Sequence, residues 1–267
     1  GVQTCALPIR LCMLIGIDVS HAAPGSDQPS VAAVVGTVDR QATQYVTHLS
    51  SQGCRVEIVS ALEEAMTQLF TAFRQRNNGM MPEHVVVYRD GVGDGQFDEV
   101  LDRELPCIQN ALAAMGQLTT KISIVVCQKR HKTRLVYEES PNHYINICPG
   151  VCVDSSGGEQ SIASANYIEF YLNSHIAIQG TAKSCKYSLL YDEIVLTLSE
   201  LELMTCWLCY LYSRCNRSVS LATPAYYAHW ASKRARNLLS GGAGDSELTN
   251  ISRTWCLPNR HATMFFI

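Results

Sequence analysis

Four widely separated residues carry side chains that could bind divalent metal ions: Asp18, Glu57, Asp90 and His229. Carboxylate oxygens are the ligands that Mg²⁺ prefers, and neutral imidazole nitrogens are common metal ligands. Two such ions about 4 Å apart can activate a water and stabilise the leaving oxygen when a phosphodiester bond is cleaved. If these four side chains meet at one site, the sequence predicts a nuclease.

The two aspartates each end a strand-like run. Asp18 follows the apolar residues 11–17, and Asp90 ends the run 85–90. A single aspartate after a strand is more often a turn or capping residue than a metal ligand. Whether these two aspartates act together therefore depends on the order of the strands that carry them.

The spacing of apolar residues predicts that order. Strand-like runs occur at 11–18, 30–38, 43–50, 85–89 and 122–127. A helical period begins at Ile58, and a second helical stretch, about 95–116, is interrupted by Pro106. This order is that of the ribonuclease H fold, which predicts an α/β protein with a mixed five-stranded central sheet flanked by helices. Its first and fourth strands are parallel neighbours, which places Asp18 beside Asp90.

The remaining residues are less regular. A strand region is predicted near 166–191, helices are predicted at about 198–213 and 224–239, and the glycine-rich segment 240–244 is expected to be mobile. The length of 267 residues, 47% of them hydrophobic, fits one large domain. No apolar run approaches the roughly 20 residues of a membrane span, so we expect a soluble protein with no membrane partner.

The charge distribution argues against indiscriminate nucleic-acid binding, because the net charge is −3. Basic residues are nevertheless clustered at 129–134, 214–217 and 233–236. These three segments could together form a groove that follows a phosphate backbone.

Five segments resemble motifs of the Argonaute/Piwi superfamily, and they occur in that family's order: 17–21, 88–97, 128–135, 174–181 and 224–229. The resemblance extends over residues 11–267 and implies a PIWI domain, which has the ribonuclease H fold. The segments around Lys129, His175 and His229 are similar to the Argonaute branch, whereas Gly93-Asp94-Gly95 is closer to the Piwi branch. We favour the Argonaute branch.

The resemblance also implies a catalytic tetrad. Cleaving members carry Asp-Glu-Asp-His or Asp-Glu-Asp-Asp, and Asp18, Asp90 and His229 match it directly. The family's glutamate lies just before the first crossover helix, where Glu57 fits best. Glu63 and Glu64 are the alternatives, although both lie within the helix.

The same resemblance implies contacts to the phosphates of a guide RNA. The residues concerned are Lys129, Arg134, His175, Lys183, Arg214, Tyr226 and Arg234. Arg234 is expected to reach the 5′ phosphate, because guanidinium groups suit phosphate oxygens. Asp94 is interpreted as a helix N-cap and not as a metal ligand.

The sequence departs from the family pattern in two respects. Residues 1–9 do not resemble the family and look like a translated sequencing adapter, so 1–10 is expected to be extraneous and 11–267 to be the PIWI domain. The family's N-terminal, PAZ and MID regions, the last of which holds most of the guide's 5′ end, do not occur in this sequence.

The resemblance implies a guide-directed endoribonuclease of RNA silencing. It would use two Mg²⁺ ions, with Mn²⁺ as a substitute, to cut a target RNA paired to a small guide RNA, leaving 3′-hydroxyl and 5′-phosphate ends. Its partners would include silencing-complex proteins, and its location would be the cytoplasm, with or without the nucleus. The alternative is a non-cleaving protein that silences by occupying its target or recruiting partners. A third, weaker reading is a guide-free nuclease of the same fold.

Overall fold

One large sheet carries most of the strands of this chain. The computed structural model describes residues 11–154, 167–240 and 264. The strands are β1 (Cys12–Ser20), β2 (Ser30–Thr37), β3 (Tyr45–Gln52), β4 (His84–Asp90), β5 (Lys121–Gln128), β6 (Val136–Ser140), β7 (His143–Asn146), β8 (Val151–Asp154), β9 (Ile168–Asn173) and β10 (Cys185–Asp192). Eight of them form the sheet in the order β3-β2-β1-β4-β5-β10-β9-β8, while β6 and β7 pair separately as an exposed ribbon.

The first five strands confirm the predicted ribonuclease H-like order. β1 pairs antiparallel with β2 and parallel with β4, and β4 pairs parallel with β5. The sheet is wider than the predicted five strands, because β10, β9 and β8 continue it antiparallel beyond β5. This extension has a physical reason: β5 is buried along most of its length, and without a neighbour it would expose an apolar edge.

The helices cover both faces of the sheet. They are α1 (Leu62–Arg76), α2 (Phe97–Glu99), α3 (Leu105–Ala114), α4 (Leu198–Leu208) and α5 (Thr223–Ser240), with a 3₁₀ turn at Asp94–Gln96 and a π-helical turn at Val100–Glu104. Helices α1 and α3 share one core with the odd-numbered residues of β1 and β4, such as Ile15 and Val87. The even-numbered residues, such as Leu14 and Val86, face the opposite side, where α4 and the start of α5 pack.

Two helix boundaries differ from the sequence prediction. The helical stretch after β4 is irregular at Val100–Glu104 and not at Pro106, which lies in the first turn of α3. Proline is tolerated there because the first amide groups of a helix lack intrahelical partners. The helix predicted to end near residue 213 ends at Leu208. The predicted mobile segment 240–244 begins at Ser240, which is the last residue of α5. Residues 241–244 and the segment 1–10 lie outside the described residues.

Helix α5 lies directly on β1. A Cβ atom added at Gly16 would be 1.9 Å from the carbonyl oxygen of Pro224, so only glycine allows this approach. The contact fixes the height of α5 along β1, which decides which α5 side chains reach the end of that strand.

Candidate metal centre

Asp18 and Asp90 lie side by side at one edge of the sheet. The parallel pairing of β1 and β4 matches Ile17 with Arg89, so the aspartate that follows each of them occupies the same level. Side chains alternate between the two faces of a strand. Both aspartates therefore face the side covered by α5, whereas Arg89 faces the opposite side.

Helix α5 brings His229 to the two aspartates. One potential ligand atom from each of Asp18, Asp90 and His229 lies within 4.8 Å of the other two. The Nδ1 atom of His229 is 3.1 Å from Oδ2 of Asp18. Ser232, one turn further along α5, donates a hydrogen bond to the same oxygen at 3.0 Å. Among the residues that the structure describes, this is the one group of three such side chains close enough to share an ion.

The electrostatics of this cluster favour a bound cation. Burial and the neighbouring Asp18 carboxylate raise the pKa of Asp90 to about 7. The hydrogen bond to Asp18 raises the pKa of His229 above its ordinary value. Two carboxylates this close repel each other unless a proton or a cation neutralises them. Two carboxylates and an imidazole are also a suitable donor set for a divalent ion, so the residues fit the metal that the family resemblance implies.

Glu57 approaches the cluster from the other face of the sheet. A Cβ atom placed on Gly91 would lie 2.8 Å from Oε1 of Glu57 and 3.5 Å from Oδ1 of Asp18. Gly91, with φ of +93°, thus lies between the carboxylates of Glu57 and Asp18, and it has no side chain that would keep them apart. Glu57 is beside the cluster but is not one of its three mutually close members.

Arg89 and His21 hold the Glu57 side chain. Arg89, which is fully buried, donates from Nη1 to Oε1 of Glu57 at 3.0 Å and from Nη2 to the Glu57 carbonyl at 2.7 Å. His21 Nε2 lies 2.7 Å from Oε2 of Glu57, and its Nδ1 bonds to Ser30. Burial raises the pKa of Glu57, while Arg89 and His21 oppose that shift.

Arg89 and His21 were not predicted as supporting residues. A signal was present for Arg89, since it is a charged residue directly after four consecutive apolar ones in a buried strand. Such a charge requires a buried partner. Which partner it meets depends on tertiary packing, and the sequence pattern does not specify this.

Three other acidic residues considered from the sequence lie elsewhere. Glu63 and Glu64 are exposed on α1, where they bond to Asn110 and Gln68. Asp94 is not an N-cap, because Gly93 holds that position; its carboxylate instead accepts bonds from Gln128 and Lys186. The local reason is that the turn begins one residue earlier than the sequence suggested.

Three of the predicted RNA-contacting residues influence one another electrostatically. Lys129 follows β5 and contacts the hydroxyl of Ser220. Burial lowers the pKa of Lys129, and the charge of Lys183 lowers it further. Burial and the charge of Lys129 likewise lower the pKa of His175. Lys129, His175 and Lys183 therefore form one basic patch.

The other four predicted RNA-contacting residues are Arg134, Arg214, Tyr226 and Arg234. Arg134 is exposed and donates to the carbonyls of His131 and Thr133. Arg214, also exposed, hydrogen-bonds Tyr212, whose ring lies 4.8 Å from that of Tyr226. Arg234 is exposed on α5, five residues after His229.

The sequence matches a family model. The Piwi domain model matches residues 2–240. The match begins inside the segment 1–10 that sequence analysis set apart, and the boundary at residue 11 stays a prediction.

Relatives of known sequence are similar along most of the chain. It is 38% identical over 257 residues to Protein argonaute 5 of Arabidopsis thaliana, covering 88% of this chain and 25% of that protein. It is 37% identical over 252 residues to Protein argonaute 11 of Oryza sativa subsp. japonica, covering 86% and 28%. The chain thus spans about a quarter of the length of these relatives.

Solved structures show the same fold. Kluyveromyces polysporus Argonaute with a guide RNA superposes with a TM-score of 0.83 at 27% identity, covering 96% of this chain and 32% of that one. The C-terminal lobe of a budding yeast Argonaute gives 0.81 at 27% identity, covering 96% and 53%. Within the described residues, the helices are all too short or too polar to cross a membrane.

Proposed function

Because the chain belongs to the Piwi domain family, we propose that it is the catalytic domain of a guide-directed endoribonuclease. It cleaves the RNA strand that is paired to a small guide RNA. The proposal rests on the convergence of Asp18, Asp90 and His229, whose ligand atoms lie within 4.8 Å of one another at the end of β1 and β4. Glu63 and Glu64, the other candidates for the glutamate of the tetrad, bond to residues outside the cluster. Glu57 lies beside the cluster, which supports Glu57 as the fourth member.

The four residues of the proposed tetrad have different roles in metal binding. Asp18 and Asp90 bind Mg²⁺, or Mn²⁺ in its place, and His229 contributes its imidazole nitrogen. Glu57 completes the site from the far side of Gly91. Two bound ions would supply the Lewis acidity that makes a water nucleophilic and stabilises the leaving oxygen of the phosphodiester.

Proton movements within the cluster precede catalysis. His229 must release any proton on the ring nitrogen that binds metal, since only the neutral ring offers a lone pair. Asp90 must also be ionised, and its pKa near 7 means that part of the ion-free protein carries a proton there at neutral pH. Ser232 keeps its hydroxyl on Oδ2 of Asp18, which fixes the orientation of that carboxylate.

The RNA is held by its backbone. The basic patch of Lys129, His175 and Lys183 binds guide phosphates. The positive charges of its two lysines support RNA binding by a chain whose net charge is −3. Arg134, Arg214, Tyr226 and Arg234 add further contacts, with Arg234 at the 5′ phosphate. Base pairing between guide and target selects the sequence, so the protein reads backbone and duplex shape.

The relatives support a proposal about the partners and the location of this protein. Kluyveromyces polysporus Argonaute was solved with a guide RNA. For this protein we infer a small guide RNA, a complementary target RNA and silencing-complex proteins as partners. We place its action in the cytoplasm, with or without the nucleus.

A cleavage assay tests the proposal. The full-length protein that contains this chain is given a guide and a matched RNA in Mg²⁺, and a single cut is expected. Asp90→Ala should reduce the rate by more than the roughly 10- to 100-fold typical of residues that only support a ligand. Asp102→Ala, which removes an exposed carboxylate, is the matched control. Equal cutting by Asp90→Ala would rule out the proposed site. No cut by the wild type would favour the non-cleaving alternative.

A further inference from the structure

Glu104 is a buried carboxylate with no assigned role in the chemistry proposed above. It is 2% exposed and ends the π-helical turn Val100–Glu104. A π turn accommodates one more residue than an α turn and is often found at functional sites. Here Asp102 and Arg103 are exposed, whereas Glu104 points inward. A carboxylate is costly to bury without partners, so the groups that it meets indicate its role.

Both oxygens of Glu104 accept hydrogen bonds from residues that are themselves bonded to Glu57 or close to it in the chain. Nε of Arg89 lies 3.0 Å from Oε2 of Glu104, and Nη2 of Arg89 lies 3.1 Å from Oε1. The amide of Val59 donates to Oε1 at 3.1 Å. Glu104 therefore holds the Arg89 guanidinium and, through Val59, the backbone two residues beyond Glu57.

The remaining donors of Arg89 point toward the candidate metal centre. Nη1 bonds to Oε1 of Glu57 and to the carbonyl of Asp90, and Nη2 bonds to the Glu57 carbonyl. The guanidinium is planar and rigid, so fixing its Nε edge also fixes the direction in which Nη1 points. By fixing the orientation of Arg89, the bidentate contact with Glu104 also fixes the position of Oε1 of Glu57, the oxygen beside Gly91.

We propose that Glu104 is a positioning residue for Glu57, which it aligns with the cluster of Asp18, Asp90 and His229 by holding both Arg89 and the backbone at Val59. This inference rests on the proposed function, because the alignment serves metal binding. Glu104 itself remains on the opposite side of Arg89 from the metal centre and touches no reacting group.

Glu104→Gln tests this role while preserving the size of the side chain. The glutamine oxygen can still accept from Val59, but an amide NH₂ replaces the oxygen Oε2 that accepts from Nε of Arg89 at 3.0 Å, and two donors then face each other. We expect Mn²⁺ affinity, measured by electron paramagnetic resonance on the full-length protein, to fall about 10- to 100-fold, as for other residues that orient a metal ligand. In a Glu57→Ala background the same change should have no further effect. Glu99→Gln, on the same helical stretch but partly exposed, is the charge-matched control.

A crystal structure of Glu104→Gln supplies a readout that requires no metal. The carboxylate of Glu57 should move away from Gly91. Unchanged Mn²⁺ affinity together with an unmoved Glu57, or an equal loss of affinity with and without Glu57, would overturn the inference. Should the wild type bind no Mn²⁺, the proposed function fails, and the position of Glu57 in Glu104→Gln alone decides the positioning role.

A second variant covers the case in which Glu104→Gln does not fold. Arg89→Met combined with Glu104→Met removes both charges together, which proteins tolerate better than a single unpaired buried charge. Glu57 then lacks the guanidinium that aligns it, so the same loss of Mn²⁺ affinity is expected. Wild-type affinity in this double variant would contradict the proposal.

Discussion

Nδ1 of His229 lies 3.1 Å from Oδ2 of Asp18, so two residues proposed to bind the same metal are bonded to each other. Ser232 shares that oxygen at 3.0 Å. The contact holds the ring and the carboxylate in a compact arrangement in the ion-free protein. A metal that binds the ring through Nδ1 replaces this hydrogen bond, whereas the bond from Ser232 can remain.

Stability should respond to divalent ions in a pH-dependent way. The pKa of Asp90 is raised from 3.8 to about 7, so its contribution to ion-free stability is fully present below about pH 3.8 and is lost as the pH rises through about 7. The pKa of His229 is also raised, which acts in the same direction. Mg²⁺ takes the place of the bound proton. Its addition should therefore raise the melting temperature more at about pH 8 than at about pH 6, as measured by calorimetry.

Asp90→Asn is the control for this effect. Asparagine cannot ionise, so the ion-free variant should lose less stability between these two pH values, and Mg²⁺ should stabilise it little at either. A Mg²⁺-induced shift of the same size at both pH values in the wild type would contradict the proposed site.

Gly91→Ala should damage the site directly. The new methyl group would lie 2.8 Å from Oε1 of Glu57, and φ of +93° costs a non-glycine residue about 1–3 kcal/mol. We expect a lower melting temperature and, in the folded fraction, weaker Mn²⁺ binding. Gly95→Ala is the matched control in the same loop, since its Cβ meets no atom within 4 Å. Equal behaviour of the two variants would show that Gly91 is not needed for the approach of Glu57.

Ser232→Ala should weaken metal binding with little effect on the fold. The hydroxyl orients Asp18 from a fully buried position on α5, and its removal leaves the carboxylate with His229 as its remaining side-chain donor. Mn²⁺ affinity should fall about tenfold, the lower end of the range for such supporting residues. Titration by electron paramagnetic resonance measures this, and Ser213→Ala, an exposed serine before α5, is the control. An affinity equal to that of the wild type would exclude an orienting role for Ser232.

The basic patch should govern the salt dependence of RNA binding. Replacing Lys129 or Lys183 by alanine removes one phosphate contact, which should reduce the slope of log K against log salt by about 0.7 for single-stranded RNA. Filter binding of a single-stranded RNA at several salt concentrations gives that slope. Lys121→Ala, an exposed lysine at the other end of β5, should leave it unchanged. A similar reduction by all three would indicate nonspecific attraction and not a localised patch.

The placement of Asp18 beside Asp90 could be predicted because it depends on strand order and on the alternation of side chains along a strand. Strand order and parallel pairing place Asp18 and Asp90 at the same level, and period-2 alternation puts both on one face. His229 lies 139 residues beyond Asp90 in numbering and reaches them only through the packing of α5 on β1. No periodicity specifies that packing, so its prediction depended on the family motif.

The supporting residues Ser232 and Glu104 could not be predicted from the sequence, for a different reason. Ser232 resembles any small helix residue in the sequence, and its role arises from the height of α5 on β1, which Gly16 and Pro224 set. Glu104 points inward because of a π turn that propensities do not reveal. The strand region predicted near 166–191 contains β9 and most of β10, but the pairing of β10 with β5 was not predicted.

The contact between Gly16 and Pro224 joins the first strand of the described chain to its last helix. During synthesis, a ribosome must therefore translate the chain from β1 as far as α5 before the imidazole of His229 can meet the carboxylates of β1 and β4. Nascent chains, and products of transcripts that end early, carry both aspartates but lack the third ligand. Assembly of the three-residue cluster is thereby withheld until α5 has been translated.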